Sequence, residues 1–399
     1  MGIKLASHKE CTGCMACVDA CNKDALKITI GKDGHYYPTW NKEKCINCGL
    51  CSKVCPIVSK FKYQREDTLS HPYAAWNKDE EQILKSASGG VFSAIATYIL
   101  QQGGYVVGAV SEGQRVKHIV INDIQDLPLL QGSKYLQSNT SGIYKQVKTL
   151  LNKGALVLFS GTGCQVAGLL SFLRKKYDNL YTIDLVCAGV PSLFSLDLFC
   201  QKEKILPKQI RWRDKENGWK QSLLLKIRTQ EENIIKYKPT NCFYWGMFLG
   251  GSTNRLSCYN CHFCGLSRIS DFTIADYWGI KEYPKQQEKG ISILISHSEK
   301  GLFLLDNCNL EKHSTDINFC ISKNPRIING KRYLFIERRF LSIAFKYLNY
   351  KSLTKIYAGI IDKNNIFWFP YKIFRSIRWR IINIQLQRKT KKIISNLWK

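Results

Sequence analysis

Cysteine is the residue around which this chain's chemistry is arranged. Two runs near the N-terminus, CTGCMACVDAC from Cys11 to Cys21 and CINCGLCSKVC from Cys45 to Cys55, share the spacing C-x2-C-x2-C-x3-C, and Pro56 follows the second. Three closely spaced thiolates wrap one face of an iron-sulfur cube and need a fourth from elsewhere; in paired runs the fourth Cys of each crosses to the other cluster. The spacing therefore assigns one 4Fe-4S cluster to Cys11, Cys14, Cys17 and Cys55, and another to Cys45, Cys48, Cys51 and Cys21. Zinc is the competing use of so many thiols. It favours pairs of C-x2-C hooks set further apart, and a four-Cys run oversupplies one tetrahedral ion. Asn22 follows the first run where Pro56 follows the second, which leaves the ligands intact.

Three more thiols sit in CYNCHFC, at Cys258, Cys261 and Cys264. A C-x2-C hook needs two further ligands, and Cys164 in SGTGCQ and Cys187 in DLVCAGV each stand just after a predicted buried strand. Loops at one edge of a parallel sheet converge in space. Cys164, Cys187, Cys258 and Cys261 thus become candidates for a third 4Fe-4S cluster, with Cys264 in reserve and a zinc hook at Cys258 and Cys261 as the alternative. Cys200, Cys242, Cys308 and Cys320 lie in apolar or isolated settings and read as inert buried thiols. The seven His show no metal-ligand spacing, and His262 is a neighbour of the hook. Ser88, Gly89 and Gly90 precede a predicted helix, so their amides could face a phosphate, although a cap with close packing is the blander reading. In SGTGCQ a buried strand delivers Gly161, Thr162, Gly163 and Cys164 onto another helix, which combines open backbone amides with a soft ligand.

The elements that must position these residues alternate. Residues 86 to 110 read as a glycine turn, a helix from about Val91 to Gln101, a Gly-Gly stop and a buried strand. A strand-loop-helix unit follows at 155 to 176, then a third buried strand within 180 to 192 and a further helix. From Gln209 the texture changes to a hairpin insertion, IRWRDK and SLLLKIRT, with later strands at FTIADYW and ISILISH. The expected fold class is α/β: a ferredoxin-like two-cluster domain, then a mixed, largely parallel α/β domain, then a basic helical C-terminal tail. The boundaries are 1–62 for the two-cluster domain, 72–155 and 156–335 for the two parts of the α/β domain, and 336–399 for the tail, with a polar linker from Lys60 to Ser70.

At 399 residues with 45% apolar content, the chain can fill more than one core. It holds no stretch of 18 uninterrupted apolar residues, and MGIKLASHKE lacks the apolar stretch of a secretory signal. Seventeen Cys in clustered spacing argue for metal ligation in a reducing compartment, hence the cytoplasm. The formal charge of +28 falls to roughly +22 once three clusters are counted. A basic excess suits anionic lipid, nucleic acid or a phosphorylated cofactor; no nucleic-acid-binding motif accompanies it. Residues 369 to 399 hold nine basic and no acidic residues, with isoleucines at Ile373, Ile377, Ile381 and Ile384. That pattern reads as a helix packed on the body, with peripheral contact at the inner membrane face as the sharper alternative.

Taken together, SASGGVFSAIA, GSKYLQS, LVLFSGTGCQVAGLL, DLVCAGVPS, RWRDK with Gly218-Trp219, and CYNCHFCGLSRISDFTIADYWGI resemble the beta-subunit family of coenzyme F420-reducing hydrogenase and dehydrogenase, in the version with an N-terminal two-cluster ferredoxin domain. The resemblance runs from Cys11 to about His297. It implies an FAD-containing iron-sulfur flavoprotein, with flavin near Ser88, Gly89, Gly90, Lys134, Tyr135, Gln137, Ser138, Gly161, Thr162 and Gln165. Gly163 stands where the family usually has Pro, and Ala188 where His commonly follows the Cys, which removes any role of that His in proton handling. The implied activity is electron transfer between the clusters and FAD, with hydride exchange to a deazaflavin, a nicotinamide or another small molecule. A redox partner protein or ferredoxin and a link to surface-polysaccharide biosynthesis are also implied. The alternative is an electron-carrier subunit with no substrate chemistry of its own.

Overall fold

A computed structural model describes residues 3–59 and 70–330. Most of the expected linker and the basic tail from 336 to 399 lie outside the described residues, as do the isoleucines on which the membrane alternative rests.

The N-terminal module is small and built around its thiols. Helix α1 (Ala16–Asp19) carries Cys17, and a hairpin of β1 (Leu26–Ile30) and β2 (Tyr36–Trp40) pairs Leu26 with Trp40 and Ile30 with Tyr36. Helix α2 (Leu50–Lys53) then carries Cys51. The two Cys runs repeat one backbone path, with positive φ at Gly13 and Met15 and again at Asn47 and Gly49. Left-handed residues at those points turn the chain around a central space, which for Met15 and Asn47 means a conformation that non-glycine residues seldom adopt.

The rest is a nine-stranded mixed sheet. Its strands are β3 (His71–Asn77), β4 (Tyr105–Glu112), β5 (Arg115–Ile121), β6 (Ser138–Asn139), β7 (Val157–Thr162) and β8 (Leu180–Leu185), then, beyond an insertion of β9 (Pro207–Arg211), β10 (Leu225–Thr229) and β11 (Ile234–Tyr237), β12 (Phe272–Asp276), β13 (Ser292–Ser296) and β14 (Leu310–Ser314). Their spatial order is β14, β3, β13, β12, β8, β7, β4, β5, β6. The parallel centre runs through β12, β8, β7 and β4, in register from Val157 opposite Leu180 to Thr162 opposite Leu185. Antiparallel strands flank it on both sides. Strands buried on both faces favour apolar runs, as in the buried Val157, Leu158 and Phe159 of β7.

Helices cover the two faces. Helix α3 (Val91–Gln101) packs Val91, Ala94, Ile95 and Ile99 over Val106, Leu158 and Ile183. Helices α4 (Ile143–Asn152) and α5 (Gly163–Leu173) lie on the other face, where Ile143, Tyr144, Val147 and Leu169 share one core with Cys14, Ala16, Ala20 and Val54 of the N-terminal module. Helix α6 (Leu193–Glu203) and helix α7 (Phe243–Gly250) join the insertion strands in a separate aromatic core around Phe199, Trp212 and Trp245. The expected loop between β7 and its helix is absent: Thr162 ends the strand and Gly163 begins α5. Among the described residues, no helix is long and apolar enough to cross a membrane.

Candidate redox site

Cys11, Cys14, Cys17 and Cys55 lie near one another. Burial pushes Cys14 up to about 12, and the charges of Cys55 and Cys11 add to the shift. Cys17 is raised by burial and then by Cys14, Cys11 and Cys55, and Cys55 by burial and then by Cys11. In the second group, burial raises Cys51, with Cys48 and Cys21 as its charged neighbours. Cys45 accepts from the Asn47 amide at 3.4 Å, and Cys48 is exposed. The fourth Cys of each run therefore lies with the other run, Cys55 beside Cys11 and Cys21 beside Cys51. Burial keeps Cys14, Cys17, Cys51 and Cys55 neutral, and a cationic iron core would convert such thiols into bound thiolates.

A third group gathers at the carboxyl edge of the parallel strands. Cys164 is raised by burial and by Cys261 and Cys187; Cys187 and Cys258 are each pushed up to about 12 by burial, Cys187 with Cys258 nearby and Cys258 with Cys164 nearby. Burial also raises Cys261. Cys264, the reserve candidate, lies directly beside Cys261: its Sγ donates to the Cys261 carbonyl at 3.2 Å, and its charge adds to the rise of Cys261. Gly163 serves this approach: a Cβ there would lie 2.9 Å from the Phe263 carbonyl in the CYNCHFC loop. Arg268 clamps the same loop to β8, donating to Asp184 Oδ2 at 3.0 Å, to the Gly265 carbonyl at 2.9 Å and to the Ile327 carbonyl at 2.9 Å. Thr273 donates to the other Asp184 oxygen at 2.6 Å. Among the described residues, no three His, Cys, Asp or Glu side chains converge on a single metal ion.

Beside this group opens a cleft of about 530 Å³. Its wall includes Thr12 and Gly13 from the first Cys run, Cys164 and Cys187 from the third group, and Ser88, Gly90 and Val91 at the start of α3. Gly90 (φ 80°) has no side chain to cap α3, so the first amides of this eleven-residue helix, which starts at the cleft wall, have no side-chain cap. Nine of the ten residues expected at a flavin line this cleft: Ser88, Gly90, Lys134, Tyr135, Gln137, Ser138, Gly161, Thr162 and Gln165. Gly89 does not. It is pressed onto the sheet, donating to Ser292 Oγ at 3.0 Å, and a Cβ there would lie 2.6 Å from the Ala75 carbonyl. Substitution of Gly89 therefore tests packing and not phosphate contact.

Several of the nine also have structural duties. Gln165 Oε1 accepts from the Thr162 amide at 2.9 Å, capping α5. Gln137 Oε1 accepts from the Tyr36 amide at 2.8 Å and so ties β2 to the cleft wall. Lys134 Nζ donates to the carbonyls of Leu129, Leu130 and Gln131, and desolvation lowers it to about 7. The wall also holds residues that the sequence analysis did not single out as site residues. His118 bonds Ser138 Oγ through Nδ1 at 2.7 Å and the Ser160 carbonyl through Nε2 at 3.1 Å. Arg213 donates to Asp276 Oδ2 at 2.6 Å, and its guanidinium lies 5.6 Å from the centre of the Trp278 ring. A lone His on a strand gives no spacing signal, whereas Arg213 was within reach through the RWRDK segment.

Comparison with known proteins places these segments. Residues 10–58 match a 4Fe-4S dicluster domain, while 72–145 and 154–316 match the N-terminal and C-terminal parts of the coenzyme F420 hydrogenase/dehydrogenase beta subunit. A coenzyme F420-dependent sulfite reductase of Methanocaldococcus jannaschii is 30% identical over 166 residues, 39% of this chain and 25% of the reductase. The chain thus spans about a quarter of the length of that relative. An uncharacterized ferredoxin of the same organism is 36% identical over 67 residues, 16% of this chain and 86% of the ferredoxin. A chain of the F420-reducing NiFe hydrogenase complex of Methanosarcina barkeri superposes with a TM-score of 0.44 at 16% identity, covering 68% of this chain and 100% of that one.

Proposed function

The chain belongs to the coenzyme F420 hydrogenase/dehydrogenase beta-subunit family, an iron-sulfur oxidoreductase family, and carries an N-terminal 4Fe-4S dicluster domain; from that premise we propose that it is a flavoprotein that passes electrons between three 4Fe-4S clusters and FAD, exchanging hydride with a deazaflavin, a nicotinamide or another small molecule. One observation carries this reading. A single cleft touches the first Cys run at Thr12 and Gly13, the third thiol group at Cys164 and Cys187, and the uncapped start of α3. Flavin would supply the change from two-electron to one-electron transfer, which clusters alone cannot make. The amides at the start of α3 would hold its pyrophosphate.

Cys164, Cys187, Cys258 and Cys261 would hold the cluster at the cleft wall, Cys11, Cys14, Cys17 and Cys55 the next one, and Cys45, Cys48, Cys51 and Cys21 the outer one. The exposure of Cys48 supports an outer cluster that a redox partner protein or ferredoxin would reach. A setting in surface-polysaccharide biosynthesis stays part of the proposal through the resemblance alone.

Anaerobic purification with iron, zinc and flavin quantification tests the reading. The expected result is about twelve iron atoms and about one FAD per chain, without zinc. About eight iron atoms with stoichiometric zinc would replace the third cluster by a zinc hook at Cys258 and Cys261. Full iron without flavin, even after reconstitution with FAD, would leave an electron-carrier subunit.

A further inference from the structure

Arg255 is 1% exposed; its guanidinium reaches the first Cys run, and its charge also acts on Cys258 of the third thiol group. Its Nε donates to the Cys11 carbonyl at 2.6 Å and its Nη1 to the Tyr36 carbonyl at 2.9 Å, while the Tyr37 ring lies 4.0 Å from its central carbon. Its backbone lies three residues before Cys258, whose amide donates to the Arg255 carbonyl at 3.0 Å. Gly13 leaves it room: a Cβ there would lie 2.8 Å from Nη1. The other deeply buried guanidiniums have carboxylate partners, Arg213 with Asp276 and Arg268 with Asp184. Arg255 is in no such pair among the described residues, and its Nη2 is buried with no acceptor there.

A buried cation with an orphaned donor is costly unless something negative faces it. Carbonyls and a ring compensate only in part. Clusters held by four thiolates each carry a net charge of about −2 when oxidised and about −3 when reduced. We propose that Arg255 is the shared counter-cation of the first and third clusters, holding the reduction potentials of both up. The proposal rests on the cluster assignments made above. Each couple takes up one electron and no proton, so a fixed positive charge stabilises the reduced form more than the oxidised one. One cation facing two clusters also moves their potentials together, which keeps electron exchange between them close to balanced.

The test compares the full native chain with Arg255→Gln and Arg255→Lys, purified anaerobically. Iron is counted first, then the clusters are titrated with dithionite and followed by electron paramagnetic resonance. Native protein short of the first or third cluster would sink the cluster assignment, separately from the role of Arg255. With iron intact, Arg255→Gln should shift the reduced-to-oxidised ratio of both clusters at least tenfold towards oxidised, about 59 mV for a one-electron couple. The Cys45, Cys48, Cys51 and Cys21 cluster should move less. Arg255→Lys keeps the charge and should restore most of the native ratio. Unchanged potentials in an iron-replete Arg255→Gln protein would overturn the proposal. If Arg255→Gln loses iron, Arg255→Lys decides: native potentials support the role, and potentials lowered despite the retained charge refute it.

Discussion

His118 shows how a single side chain couples the cleft wall to pH. Burial lowers it to about 4, against the Ser160 carbonyl, which favours the charged form, and Lys134 adds to the lowering. Since Nε2 faces that carbonyl and Nδ1 faces the Ser138 hydroxyl, the neutral ring donates at Nε2 and accepts at Nδ1. A His whose folded value lies below its unfolded one is neutral in the fold and charges first in the unfolded chain. Its contribution is therefore complete above the unfolded value of about 6.5 and is lost as pH falls towards 4. Between about pH 7.5 and about pH 5.5 this one group should remove about 1 kcal/mol of stability. Urea denaturation at the two pH values checks it: His118→Gln should lose less stability across that interval than the native chain. Equal losses in both proteins would show that His118 is not the group responsible. His118 and Arg255 were illegible in the sequence for one reason. Each is a lone residue whose meaning comes from neighbours 20 to 244 positions away.

At the scale of elements, α5 joins two thiol groups. It presents Cys164 at its start and Gly168 one turn later, and residues four apart share a helical face. At Gly168 a Cβ would lie 2.8 Å from Cys14 Cβ, 2.9 Å from Cys14 Sγ and 3.0 Å from the Tyr144 hydroxyl. Helix propensity alone makes Gly→Ala favourable by up to about 1 kcal/mol. The contact with a would-be cluster ligand reverses the sign, because Cys14 cannot swing away and still face Cys11 and Cys55. Gly168→Ala should cost about 1–3 kcal/mol and about four iron atoms per chain. Gly250→Ala, where a Cβ meets nothing within 4 Å, should leave iron content unchanged. Full iron in Gly168→Ala would break the link between α5 and the first cluster. The helix at Val91–Gln101 and the parallel strands were legible because their apolar runs and glycine stops are local. The pairing of β3 with β13 and β14 was not, since it joins segments more than 200 residues apart and leaves no periodic trace. For the same reason the Cys spacing marked which thiols to expect at the clusters but not that Cys14 would sit against α5.

At the scale of the molecule, the N-terminal module is docked onto the sheet domain by polar contacts that each side leaves incomplete alone. Helix α4 begins at Gly142, which has no side chain to cap it. The cap arrives from α1 instead: Asp19, 3% exposed, accepts from the Gly142 amide at 2.6 Å and the Tyr144 amide at 3.0 Å. Thr140 donates to the Cys14 carbonyl at 2.9 Å, and the Leu193 amide to the Gly34 carbonyl at 2.8 Å. Together these contacts hold the first Cys run against the cleft, so the proposed electron transfer would depend on the same bonds as docking. Loss of an N-cap acceptor costs about 0.5–2 kcal/mol, and a buried carboxylate receiving two amides belongs at the upper end of that range. Asp19→Ala should therefore lower stability by about 2 kcal/mol and speed hydrogen exchange at the Gly142 and Tyr144 amides. Glu43→Ala, which removes an exposed carboxylate from the same module, should change neither. The decisive comparison is exchange at Thr182, whose amide bonds Asp271 inside the sheet at 2.8 Å. If Asp19→Ala speeds exchange at Gly142 and Tyr144 while Thr182 stays protected, the module is loosened from an intact sheet. Equal acceleration at all three would mean that the module and the sheet unfold as one unit, and that Asp19 supports the whole fold rather than the docking alone.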